Sequence, residues 1–162
     1  MASSVTFVEY LGSTTSTATS TQLDLVSTMG ANASRSTYPV SVGNYSYSKA
    51  FKLSFGGTFT SITNIKLYKS DGSYVTGEVV NYGCSTSFSV PTGGSYQDSN
   101  ASTAIPTSVP NTTNITIGGT TSGTITDTEN TTDYIYLQSS VTIQSVSGTV
   151  NSKTLTMTWT EI

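Results

Sequence analysis

Ser48-Lys-Ala-Phe-Lys-Leu-Ser-Phe55, Gly56-Gly57, Thr58-Phe-Thr-Ser-Ile-Thr-Asn-Ile-Lys-Leu-Tyr-Lys69, Ser70-Asp71-Gly72-Ser73 and Tyr74-Val-Thr-Gly-Glu-Val-Val-Asn-Tyr82 follow one another through the middle of the chain. Phe51, Leu53 and Phe55 fall on one face of an extended segment, with Lys52 and Ser54 on the other. That alternation is the mark of a half-buried strand. Ile65 and Leu67 repeat it between Asn64, Lys66 and Tyr68. Asp71-Gly72 is a tight-turn dipeptide, because Gly tolerates positive φ and Asp bonds its own backbone. The stretch reads strand, turn, strand, turn, strand, the core of a β-sandwich.

Outward from this centre the same grammar continues. Residues 4–11 make a strand with Val5, Phe7 and, unexpectedly for that row, Glu9 on one face. Residues 12–21 are Ser, Thr, Ala and a Gly, expected to be a surface loop or an arm lying on a neighbour. Residues 22–29 read as one more strand or as a short helical turn capped by Thr21, with the strand preferred, and 37–42 as extended, since Pro39 keeps Tyr38 out of the helical region and suggests a sheet edge. Beyond Cys84 come a short strand at 87–90, a long irregular loop at 95–114 with Pro106 and Pro110, and strand fragments around Ile115, Ile117 and Ile125. Residues 133–138 and 141–146 alternate. In the terminal run Thr154-Leu-Thr-Met-Thr-Trp-Thr-Glu-Ile162, Leu155, Met157 and Trp159 oppose four Thr. About nine to eleven short strands, no amphipathic helix and no internal repeat predict one all-β domain over 1–162. The expected architecture is an antiparallel sandwich or jelly-roll-like fold.

The composition supports order. Among 162 residues there are 32 Thr and 28 Ser, more than a third of the chain, and 9% are charged. Disordered chains carry many charges and few aromatics. Here there are 10 Tyr, 5 Phe and one Trp, and Thr, Tyr, Val and Ile suit a pleated surface. A net charge of -3 with six basic residues lacks the clustered Lys and Arg of a phosphate footprint, so no nucleic-acid partner is expected. Lys49, Lys52, Lys66 and Lys69 fall in one region, but alternation splits them between faces. The start of the sequence shows no basic and apolar leader, so no signal peptide is expected. No apolar run reaches bilayer length, so no membrane partner is expected.

The chemistry points away from an enzyme. With no His, neither a Ser-His-Asp nor a Cys-His arrangement forms, and zinc loses its commonest ligand. Cys84 is alone, so no internal disulfide exists; it reads as a small buried residue near a strand end. Gly56-Gly57, Gly93-Gly94 and Gly118-Gly119 read as turns, not phosphate loops. No cofactor is expected. Asp127, Glu129 and Asp133 form the one acidic cluster. They read as a solvated loop, with a calcium site as the functional alternative and a glycosidase-like carboxylate pair as a further one. Six Asn-x-Ser/Thr triplets begin at Asn32, Asn44, Asn100, Asn111, Asn114 and Asn130. At this hydroxyl content about three of the nine Asn would carry one by chance. The Tyr residues suit half-buried strand faces, a subunit interface, or a carbohydrate platform.

A small, cysteine-poor, Thr/Ser/Gly-rich all-β chain, with segments such as Phe51-Lys-Leu-Ser-Phe-Gly-Gly-Thr-Phe-Thr-Ser-Ile-Thr-Asn-Ile-Lys-Leu-Tyr68 and the 154–162 ending, resembles virion structural proteins of tailed bacteriophages. The resemblance is one of composition and carries no site residue across. It implies a non-enzymatic protein of the virion, made in the host cytoplasm. The expected role is capsid decoration, as a homo-oligomer contacting the major capsid protein or other virion proteins. The alternatives are a neck, tail or fibre component, or a receptor- or carbohydrate-binding β-sandwich module.

Overall fold

The computed structural model describes residues 3–12, 16–19 (backbone), 23–30, 32–126, 131–142 and 151–162. The described chain is all-β, without a helix. Eight strands form: β1 Ser4–Leu11, β2 Ser16–Thr19, β3 Lys49–Gly56, β4 Ile62–Asp71, β5 Glu78–Ser85, β6 Thr103–Ala104, β7 Tyr134–Val141 and β8 Thr154–Glu161. Six make one sheet in the order β2-β1-β3-β7-β5-β6, and β4 and β8 make a second. Every pairing is antiparallel.

Alternation sets which residues face the space between the sheets. Phe51, Leu53 and Phe55 of β3 point there with Ile135 and Leu137 of β7 and Val80 and Tyr82 of β5. From the other side come Ile62, Ile65 and Leu67 of β4, and all these side chains are buried in one cluster. Leu155, Met157 and Trp159 of β8 pack against it, Trp159 meeting Phe55 edge to face at 5.3 Å. Burying each large apolar side chain stabilises the fold by about 1.5–3 kcal/mol. The arrangement is sandwich-like, with very unequal sheets.

Three expectations need correction or refinement. The central stretch forms three strands joined by turns as read, but successive strands do not pair with one another. After Gly56 and Gly57 (φ 92°) the chain leaves the large sheet for the small one, and after Gly72 (φ 86°) it returns. Alternation reports that a strand is half-buried, not which strand lies beside it. Secondly, eight strands form among the described residues, fewer than the nine to eleven expected. Residues 23–29, 37–42, 87–90 and those around Ile115, Ile117 and Ile125 are irregular, with isolated bridges only from Ile125 to Ile62 and from Ile117 to Thr120. Val26, Ile115, Ile117 and Ile125 are buried from such irregular chain, whereas 37–42 and 87–90 bury no side chain and leave Tyr38, Val42 and Val90 exposed. The two expected strands at 133–138 and 141–146 begin as one continuous β7; residues 143–146 lie outside the described residues. Thirdly, the described part of the 12–21 arm folds back. β2 pairs with β1 from Leu11 opposite Ser16 to Val8 opposite Thr19.

The long 95–114 loop is irregular apart from β6, and it packs on its own chain. Ile105 N donates to Val80 O at 2.9 Å and Lys69 N to Pro106 O at 2.8 Å, while the Asn114 side chain bonds both Leu67 N and Leu67 O at 2.8 Å. Asn64 (φ 55°) sits at an irregularity in β4, where the register against β8 shifts between Thr63 and Lys66, and its side chain accepts from Thr113 Oγ1 of the loop at 2.8 Å. Asn is among the few residues that tolerate the left-handed region. The loop thereby covers the outer edges of β4 and β5. On the opposite side of the molecule, β8 and β2 end their sheets with no described residue paired to their outer edges.

Candidate functional site

That open side carries the main concavity. A groove of about 720 Å³ runs between the sheets, and a hollow of about 270 Å³ continues it along β8. The two share Phe7, Leu155 and Met157. Phe7 of β1, Phe51 of β3, Leu137 of β7 and Val80 of β5 form the floor. Leu155 and Met157 of β8 form one wall, and Leu25, Val26, Tyr38 and Val40 the other. Its volume falls in the range of ligand sites, which are mostly apolar. The groove exists because the two-stranded sheet is too narrow to cover the six-stranded one. Trp159 meets Phe55 of β3, and Asn114 joins Leu67 of β4 to the Tyr82 hydroxyl of β5. The small sheet therefore covers the stretch from β5 to β3, and β1 and β2 project beyond β8.

Charged groups around the groove are engaged with one another. Lys153 Nζ lies 2.7 Å from Glu78, which also accepts a hydrogen bond from Val75 N at 2.9 Å. Arg35 Nε meets Asp24 at 2.9 Å, and Arg35 Nη1 donates to Ser152 Oγ at 3.1 Å. At the end of β1, Glu9 and Lys49 form a fully buried pair at 3.3 Å, with Lys49 Nζ also donating to Gly30 O at 2.6 Å. Glu9 Oε1 lies within Coulombic reach of Lys49 but has no partner in hydrogen-bonding geometry. Burial pushes the Glu9 carboxyl above its ordinary range, and Lys49 pulls it part of the way back.

The outer face of the large sheet is covered differently. Gln138 donates to the carbonyls of Ser46, Thr92 and Tyr96 and accepts from Asp98 N at 2.8 Å, and Ser48 Oγ donates to the Asp98 carboxylate. This buried network fixes the 92–101 segment onto β7. Small residues permit the contact: the Asn100 carbonyl rests against Gly83, where any Cβ would clash with it. Beside it, Tyr10, Phe88 and Tyr134 form a half-buried aromatic cluster with centroids 4.9–6.1 Å apart, and Lys52 Nζ lies 4.2 Å from the Tyr134 ring.

Of the acidic cluster singled out from the sequence, Asp127 and Glu129 lie outside the described residues. Asp133 is buried, and its carboxylate accepts from Thr116 Oγ1 at 2.5 Å, Gly118 N at 3.1 Å and Gly119 N at 2.8 Å. Successive glycines with positive φ (60° and 81°) turn both amides toward it. Asp133 therefore anchors the 116–119 turn. Among the described residues no group of three metal-ligating side chains occurs. Cys84 is a half-buried free thiol near the end of β5, its pKa raised by burial. The four lysines are dispersed: Lys49 pairs with Glu9, Lys52 lies over Tyr134, Lys66 reaches Asn111 O and Lys69 reaches Gly72 O.

Sequence reasoning missed the groove and the Glu9–Lys49 pair. A signal for the pair was present: Glu9 continues the apolar row of Val5 and Phe7, and Lys49 continues that of Phe51 and Leu53. No local signal announces the groove, because it arises from strand order. The chain matches no protein-family model, no curated protein and no solved structure.

Proposed function

We propose that this chain is a non-enzymatic structural protein of a virion, acting in capsid decoration by binding neighbouring subunits. The observation that supports this reading is the contrast between its two sides. On one, the 95–125 region covers the strand edges. On the other, no described residue pairs with the outer edges of β2 and β8, and β8 carries little of the charge or proline that usually guards an edge. Free edges are usually blunted by Lys, Pro or a bulge. β2 reads Ser-Thr-Ala-Thr, and β8 reads Thr-Leu-Thr-Met-Thr-Trp-Thr-Glu with a single charge at its end. Such edges suit a protein completed by its neighbours. The test is solution mass by light scattering, followed by co-sedimentation with capsid particles. Self-association and retention on capsids support the proposal, and a monomer that ignores them overturns it.

The Tyr10, Phe88 and Tyr134 cluster beside Lys52 favours a second reading, a carbohydrate-binding module, since aromatic faces with a polar rim hold sugars. Binding on a glycan array that is lost in Tyr134→Ala supports it; no binding to any glycan removes it.

A further inference from the structure

We propose that the groove beside β8 receives one extended strand from a partner polypeptide, which adds to β8 and completes the small sheet. The inference deepens the reading of a protein bound by its neighbours, and rests on it for the identity of the partner. Three observations carry it.

First, β8 pairs with β4 from Glu161 opposite Ile62 to Thr154 opposite Asp71, and no described residue pairs with its other edge. A strand edge offers backbone donors and acceptors at strand spacing, which another strand satisfies in register. Neither a lipid chain nor a helix does so. Secondly, burial differs between the two strands of the same sheet. Ile62, Ile65 and Leu67 of β4 are fully buried, whereas Leu155, Met157 and Trp159 of β8 are half-buried although they alternate toward the core. The uncovered apolar strip lies beside β8, and half-buried Val5 and Phe7 of β1 continue it. Thirdly, β1 and β2 project beyond β8. Two strands at about 4.8 Å spacing leave room for one or two strands above them. A single extended arm fills that space without bringing a second sheet over β1 and β2. The space thus selects a single arm.

The occupant's chemistry follows. Side chains toward the floor must be apolar at every second position; those facing out are small or hydroxylic. The Leu155 to Trp159 wall calls for about five to eight residues, roughly 17–27 Å at 3.4 Å each.

Trp159, the chain's one tryptophan, lines the hollow and reports on occupancy. The probes are a capped peptide alternating valine and threonine with a lysine at each end, the same composition with the valines in one block, and sodium oleate. The alternating peptide is expected to shift Trp159 emission to the blue. It is also expected to slow exchange of the β8 amides that face away from β4 by at least tenfold. Leu155→Asp should weaken its binding tenfold or more, and if that variant does not fold, exchange on the native protein decides. The proposal is overturned if those amides are already protected in the free monomer, if the block peptide binds equally well, or if oleate shifts Trp159 and the peptide does not. Capsid particles separate the two readings. Peptide binding without capsid binding removes the virion role and keeps the strand site. Capsid binding that a folded Leu155→Asp variant retains removes the strand site and keeps the virion role.

Discussion

At the scale of single residues, the Glu9–Lys49 pair has the largest energetic stake. Both side chains are fully buried, and one carboxylate oxygen lacks a hydrogen-bond partner. A buried pair contributes little net stability, but removing one member strands the other charge at a cost of about 3–5 kcal/mol. Lys49→Met is expected to cost that much at about pH 8 and far less at about pH 4, where the carboxyl takes up a proton. The sign follows from linkage. Burial raises Glu9 in the folded state, so the folded protein holds the proton more tightly. The stability this confers is complete below the ordinary glutamate value and is lost as pH rises through the folded one. Without Lys49 the folded value rises further, and the window widens upward. Urea unfolding at the two pH values measures the difference; equal losses would contradict the assignment. Pairing Lys49→Met with Glu9→Leu should recover most of the loss, since apolar replacements of buried pairs are often neutral or better.

At the scale of elements, the large sheet is packed on both faces by different means, and two substitutions separate them. On the inner face, Phe55 of β3 is fully buried and Trp159 of β8 is not, though the two rings touch. Phe55→Ala should cost about 4 kcal/mol, in the range for buried aromatics. Trp159→Ala should cost about 2 kcal/mol, because part of its surface already meets solvent in the hollow. Denaturant midpoints give the comparison, and a reversed order would mean that the hollow is filled. On the outer face, Gly83→Ala drives a methyl group into the Asn100 carbonyl and should cost about 1–3 kcal/mol by lifting the 98–101 segment. These elements differ in how far the sequence discloses them. β1, β3, β4, β7 and β8 were legible because each alternates over at least five residues against a half-buried face. β2 was not, since Ser-Thr-Ala-Thr has no apolar row to mark it, although it pairs with β1 from Leu11 opposite Ser16 to Val8 opposite Thr19. Ile115, Ile117 and Ile125 suggested strands from a two-residue period, yet they plug the core from irregular chain. Strand order left no trace at all, and with it the groove went unseen: its floor and wall come from Phe7, Phe51, Leu137 and Leu155, residues far apart in sequence that join only in the fold.

At the scale of the molecule, the question is whether the narrow sheet and the wide one unfold together. β4 and β8 pair along their length, from Ile62 opposite Glu161 to Asp71 opposite Thr154, and Ser3 ties the other end of the described chain to them. Ser3 N and Oγ donate to the Glu161 carboxylate, the hydroxyl at 2.7 Å. The Phe51 to Leu137 cluster takes side chains from both sheets and from Ile105, Ile115, Ile117 and Ile125 of the connecting segments. Neither sheet retains a buried inner face if the other leaves, so the two are expected to unfold together. Trp159 sits at the junction between β8 and β3 and reports on that contact, whereas far-ultraviolet circular dichroism is dominated by the six-stranded sheet. The two signals are therefore expected to give one denaturant midpoint and one slope, the mark of a single cooperative unit. Contacts this distant in sequence must close long loops before any burial offsets their entropy, so refolding should fall in the millisecond-to-second range of non-local β proteins. A Trp159 transition at lower denaturant than the circular dichroism would show the small sheet detaching first. The protein would then be two stability units, and the strand site beside β8 would be the place where the fold opens.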